Sequence, residues 1–274
     1  MRRRAPAEDE SSAGAGANLR CVADLVRSPV RSAVGPAPVW TFSAERDARA
    51  PAVLLFHGLR SSSAALHDEA RAIARAGMTA VLVDAPHHGA RRSPVLDAMP
   101  DTGTREGYAT LLRILREAKD EVPSLVDHLL GLGHTRVAIA GVSMGAYIAL
   151  AGAVLEPRIS AIVSLLGSPD WTPHEGEAAT AADVRADADD ASPCRHAEAF
   201  VPRPLLMLNG ARDVNVRPEG ARAFAAALRP LYAARGASDV LVHRELDVDH
   251  FAPPEVWREM VETAVVFLSR ALLG

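Results

Sequence analysis

Two cysteines, Cys21 and Cys194, are all that the 274-residue chain contains. That number excludes a disulfide framework, and the spacing fits no metal site. Both are expected to be free thiols in a reducing compartment. No run of about 18 apolar residues occurs, so no membrane-crossing helix is expected. The basic start, MRRRAPAEDESSAGAGAN, lacks the apolar segment that a secretory or twin-arginine signal requires. A disordered tail over residues 1–19 and a cytoplasmic location are the expectations. Lysine is nearly missing, since Lys119 is the only one. A net charge of −4 and a pI near 6.2 leave no basic excess for nucleic acid. No glycine-rich phosphate loop follows a strand, and no His, Cys, Asp or Glu set has ligand spacing. Neither an organic cofactor nor a metal is therefore expected.

What the chain has is apolar residues, 49% of the total, enough for one large α/β domain over residues 20–274. Its organising stretch is Thr135 to Leu150, TRVAIAGVSMGAYIAL. The run around Val137 and Ile139 suits a strand buried on both faces of a parallel sheet. Gly141-Val142-Ser143-Met144-Gly145 is a G-x-S-x-G, and helix-forming residues follow it. Strand, sharp turn and helix around a serine form a nucleophile elbow. Such a turn strains the serine backbone and sets its hydroxyl beside free N–H groups at the helix start.

Further strands are expected at Val39–Phe42, Ala50–His57, Thr79–Val83, Ser160–Leu166, Arg203–Asn209 and Asp239–Leu246. Between them, Leu66, Ala70 and Ile73 mark a helix capped by Ser61, Ser62 or Ser63 and ending near Gly77. Glu106 to Leu130 is helical, with Pro123 expected to kink or split it. Helices are expected over Glu219–Leu228 and Glu255–Leu272. His57, His87 and His88 read best as hydrogen-bonded braces of loops, although each is a candidate base. Residues 168–202 are acidic and proline-interrupted. They suit a solvated loop, or a small cap of one or two short helices with Trp171 lining a pocket beneath; the cap is the reading taken. Asp213 follows a strand, where a carboxylate can orient a histidine, and His250 follows the last strand. Asp170 and Asp249 are rival carboxylates.

With these pieces in order, the chain resembles the α/β-hydrolases. Within them it is similar to small bacterial carboxylesterases related to dienelactone hydrolase and to prolyl-oligopeptidase-type catalytic domains. The stretches that carry the resemblance are FHGLRSS (56–62), DAPHHGAR (84–91), GVSMG (141–145), NGARDVNV (209–216) and DVDHF (247–251). Ser143 stands where dienelactone hydrolases proper carry cysteine. The resemblance implies a mostly parallel sheet with helices on both faces. It also implies Ser143 as nucleophile, Asp213 as acid and His250 as base, the chain order of this fold. The backbone N–H groups of Leu59 and Met144 would form the oxyanion hole.

The expected activity is hydrolysis of short, neutral carboxylic esters through an acyl-enzyme. A peptidase or acyltransferase with the same three residues, or a non-catalytic binding protein on the same fold, are the alternatives. The expected partner is a small-molecule ester rather than nucleic acid or membrane, and the oligomeric state stays open.

Overall fold

Short apolar runs bounded by glycine, proline or aspartate form the strands, and longer runs with one apolar stripe form the helices. A computed structural model describes residues 30–35, 37–43, 49–174 and 176–274. The tail expected over 1–19, and Cys21, lie outside them. In order, the elements are β1 (Val30–Val34), β2 (Ala37–Phe42), β3 (Ala52–Phe56), α1 (His67–Arg75) and β4 (Thr79–Val83). Next come α2 (Pro94–Asp97), α3 (Arg105–Gly131), β5 (Val137–Val142), α4 (Met144–Leu155) and β6 (Ile159–Leu165). Then follow α5 (Glu177–Thr180), α6 (Ala182–Ala191), β7 (Leu205–Gly210), α7 (Glu219–Ala234), β8 (Leu241–Leu246) and α8 (Pro254–Leu273).

The strands form one sheet of eight, in the order β1-β2-β4-β3-β5-β6-β7-β8. β3 to β8 run parallel, and the β1–β2 hairpin joins antiparallel through β2 and β4. Helices cover both faces, which is why β3 and β4 are buried at every position and read as continuous apolar runs. On one face Leu66, Ile73, Met260 and Leu268 of the α1–α8 layer meet the sheet. On the other, Leu115, Val122, Ile148 and Phe224 of α3, α4 and α7 do so.

Four local expectations change. α3 is one helix across Pro123. Its buried face runs unbroken through Leu115, Ala118, Val122, Leu125 and Leu129, and that packing outweighs the one lost backbone bond. Gly152 of α4 lets the two helices close in, since a Cβ there would lie 2.7 Å from a Val122 methyl. α7 continues past Leu228 because Tyr232 is buried and its hydroxyl donates to the carbonyls of Phe200 and Arg203, at 2.9 and 2.6 Å. The serines before α1 cap nothing with their side chains; a short 3-10 turn, Ser63–Leu66, comes first, and the Ser63 N–H donates to Asp84 Oδ1 at 2.8 Å. β1 is a strand the sequence reading did not contain.

The stretch after β6 folds as α5 and α6, which lie on α3, and a 3-10 segment, Pro193–Phe200, which lies on α4 and α7. Three of its acids are paired. Asp183 pairs with Arg105, Asp187 with Arg116 and Asp189 with Arg195. Exposed pairs of this kind contribute little stability. They do neutralise the charge that would repel an anionic substrate. Among the described residues no helix is long and apolar enough to cross a membrane.

Candidate active site

The turn from β5 to α4 is possible only because of its glycines. A Cβ on Gly141 would sit 2.0 Å from the Gly145 carbonyl oxygen, and one on Gly145 would sit 2.1 Å from that of Phe56. With both side chains absent, the turn closes and α4 packs onto the end of β3. Ser143 between them takes φ 53° and ψ −119°. A non-glycine residue held there carries strain of about 1–3 kcal/mol, which the surrounding packing must maintain.

Two loops bring partners to this serine. The Ser143 hydroxyl lies 2.9 Å from His250 Nε2, and His250 Nδ1 lies 2.7 Å from Asp213 Oδ2. A carboxylate only accepts, so Nδ1 carries the proton and Nε2 presents its lone pair to the serine. The other Asp213 oxygen accepts the N–H groups of Asn215 and Val216 at 2.9 and 2.8 Å, and Asp213 is buried. The loops after β7 and β8 are also tied by their backbones. Ala211 N–H donates to Leu246 and Arg212 N–H to Val248, at 2.7 and 3.0 Å. Of the rival carboxylates, Asp170 accepts from Thr172 N–H and hydroxyl, and Asp249 from Phe251 N–H; neither is on His250.

The loop after β3 passes beside Ser143, where a Cβ on Gly58 would lie 3.7 Å from the serine Cβ. Leu59 and Met144 both line the space next to the serine, and neither N–H donates to another described group. Two buried histidines fix this loop. His57 Nδ1–H donates to Gly58 O at 2.8 Å, and its Nε2 accepts from Ala85 N–H at 3.2 Å. His88 Nδ1–H donates to Pro86 O at 2.8 Å, and its Nε2 accepts from Arg60 N–H at 3.1 Å. Burial lowers the pKa of both, that of His88 to about 4, so each stays neutral and holds one lone pair for the backbone. His87 bonds Ser93 and Glu117. All three histidines act as braces, and no group of three or more His, Cys, Asp or Glu among the described residues could hold a metal ion.

A serine in a strained turn, an imidazole with its lone pair on that serine, and two uncommitted N–H groups beside it can transfer an acyl group. The model of the alpha/beta hydrolase family matches residues 53–271. This chain belongs to the alpha/beta hydrolase family. The esterase YjfP of Escherichia coli strain K12 is 31% identical to this hydrolase over 130 residues, or 47% of this chain and 49% of that one. The match thus spans about half of the relative's length. TT1662 from Thermus thermophilus superposes with a TM-score of 0.72 at 24% identity, over 91% of this chain and 99% of that one. The acylaminoacyl peptidase of Pyrococcus horikoshii superposes with a TM-score of 0.64 at 16% identity, over 90% of this chain and 42% of that one. At these identities the two solved structures share the hydrolase's fold.

The cavity over Ser143 has a volume of about 830 Å³ and spans both layers of the hydrolase. Tyr108, Leu111, Met144 and Tyr147 line the side belonging to the α3–α4 layer. Leu66, Ala252 and Trp257 line the side belonging to the α1–α8 layer. Val214 and Phe251, which follow Asp213 and His250 directly, stand 74% and 80% exposed at the rim. Trp171 does not line the cavity, contrary to expectation. It is 0% exposed and pinned behind Tyr147, ring centroids 6.5 Å apart. Its backbone N–H donates to Ser192 Oγ and its carbonyl accepts the Tyr108 hydroxyl, both at 2.8 Å, while its buried indole N–H has no partner among the described residues. The lining residues of the hydrolase that sequence reasoning missed carry a faint signal. Tyr108, Leu111 and Leu115 share a face of α3, and Tyr147 lies about one turn beyond Ser143.

Proposed function

We propose that this hydrolase cleaves carboxylic esters through an acyl-enzyme on Ser143. The observation that carries the reading is the Ser143–His250–Asp213 hydrogen-bonded chain, at 2.9 and 2.7 Å, beside the uncommitted N–H groups of Leu59 and Met144. His250 Nε2 takes the serine proton as Oγ attacks the ester carbonyl. The two N–H groups hold the oxygen that becomes negative. His250 then gives the proton to the leaving alkoxide as the C–O bond breaks, and Asp213 stabilises the transient imidazolium. Water, deprotonated by the same nitrogen, releases the acid and restores Ser143.

Close to Ser143 the lining is mostly apolar, with Leu59, Leu111, Met144 and Leu166. The base that protonates the leaving oxygen stands beside Phe251 and Val214, so the alcohol lies at this apolar rim. The acyl group then lies on the α3–α4 side. A cavity of about 830 Å³ has room for an acyl group and a ring-sized alcohol together. The test is a series of p-nitrophenyl esters from acetate to dodecanoate, with Ser143→Ala as control. Hydrolysis of the short members that disappears in the variant is the expected result. Cleavage of p-nitroanilide peptides with no ester turnover would favour the peptidase alternative.

A further inference from the structure

Tyr147 has a polar atom with no work in the folded protein. Its ring lines the cavity, and its hydroxyl makes no hydrogen bond with any described residue. None of the groups near it accepts from it. Tyr108 points its hydroxyl at the Trp171 carbonyl, Asp170 takes Thr172, and Asp213 takes Asn215, Val216 and His250. Burial also raises the phenol pKa well above its ordinary value, so the group stays a donor. The hydroxyl is not sealed from the cavity that the ring lines, so a substrate oxygen can reach it. Helical side chains lean toward the N-terminus of their helix. The ring of Tyr147 on α4 therefore leans toward Ser143, where α4 begins.

Resting on the ester reading above, we propose that Tyr147 is a specificity residue whose hydroxyl donates to an acceptor oxygen on the acyl part of the substrate. The acyl side follows from the layers: Tyr147 packs with the α3–α4 core, while Trp257 and Ala252, near His250, pack with the α1–α8 core. The preferred substrates are then esters of oxo- or alkoxy-acids rather than of plain alkanoic acids. An acceptor a few bonds from the ester carbonyl would satisfy the phenol in the complex, and a plain alkyl chain would leave it unpaired.

The experiment compares p-nitrophenyl methoxyacetate with p-nitrophenyl butyrate, each kcat/KM divided by its rate of hydroxide hydrolysis. In the wild type the normalised ratio is expected to favour the alkoxy ester by about tenfold, the worth of one neutral hydrogen bond. Tyr147→Phe should bring that ratio to near one. Tyr108→Phe, whose hydroxyl is already committed, should leave the ratio as in the wild type. A wild-type preference for butyrate overturns the inference without any variant. So does a Tyr147→Phe ratio within twofold of the wild type, whether both activities fall together or neither does. If no ester is hydrolysed at all, it is the ester reading that fails; if both are hydrolysed with no discrimination, only the role of Tyr147 does.

Discussion

His57 and His88 on one side and His250 on the other are the same side chain put to opposite uses. Each has Nδ1–H bonded to a fixed acceptor, so each presents Nε2 as an acceptor. For His57 and His88 that lone pair faces a backbone N–H, and both rings are fully buried. For His250 it faces a hydroxyl at the edge of a cavity. A lone pair spent on the backbone holds a loop; one left on a hydroxyl can take a proton. What decides the use is the partner of Nε2.

The comparison is sharpened most by removing the working pair. Ser143→Ala or His250→Ala should each lower kcat on short esters on the order of 10⁴-fold or more with the fold retained, since the three groups act as a unit. Ester turnover and circular dichroism on the same preparations decide this. Next, Asp213→Asn should cost roughly 10³–10⁴-fold by losing the partner that fixes the His250 tautomer, while Asp170→Asn should stay within a few-fold. The opposite ranking would move the acid to the loop after β6.

His88→Phe probes the other arm. It leaves the Arg60 N–H and the Pro86 carbonyl without partners, costing about 2–4 kcal/mol in a urea melt. The Leu59 N–H, next to Arg60, should lose its position, and kcat of the folded protein should drop about 10- to 100-fold. Full activity in a destabilised variant would separate the brace from the oxyanion loop. The smallest effect is in pH. The folded protein keeps His88 neutral down to about 4, whereas the unfolded chain binds a proton below about 6.5. This contribution is therefore complete above pH 6.5 and is lost as pH falls toward 4. His57 shifts in the same direction. The stability lost between pH 7 and 5 should be smaller in His88→Phe than in the wild type, and an equal loss would mean that other groups carry the slope.

Legibility in the sequence followed the range of the forces involved. The elbow could be read because Gly141 makes room for the Gly145 carbonyl within the motif itself, whereas the carbonyl that Gly145 makes room for, that of Phe56, comes from β3 and is not local. Ser143, Asp213 and His250 could be ordered because each ends a strand of a parallel sheet. Depth could not be read. Trp171 begins the cap in sequence, yet its side chain turns inward behind Tyr147, which nothing in residues 168–202 encodes. Tyr147 and Tyr108 sit in runs that look like core and become lining only once α3 and α4 are paired. Pro123 looked like a helix break because its cost is local and its compensation, the contact between Val122 and Gly152, is not.

Among the described residues β8 pairs with one neighbour only and is nowhere fully buried, unlike β3 and β4. Its loop carries His250 and is stitched to the Asp213 loop, where a Cβ on Gly210 would lie 2.6 Å from the Val248 oxygen. The serine rests on the central strands, and its two partners rest on the margin. Opening of an edge takes less free energy than global unfolding. On heating, turnover should thus fade before the circular dichroism of the sheet changes. Amides of β8 should exchange with deuterium faster than those of β5, and the order of that one edge strand would set how much of the protein holds all three residues together at a given temperature.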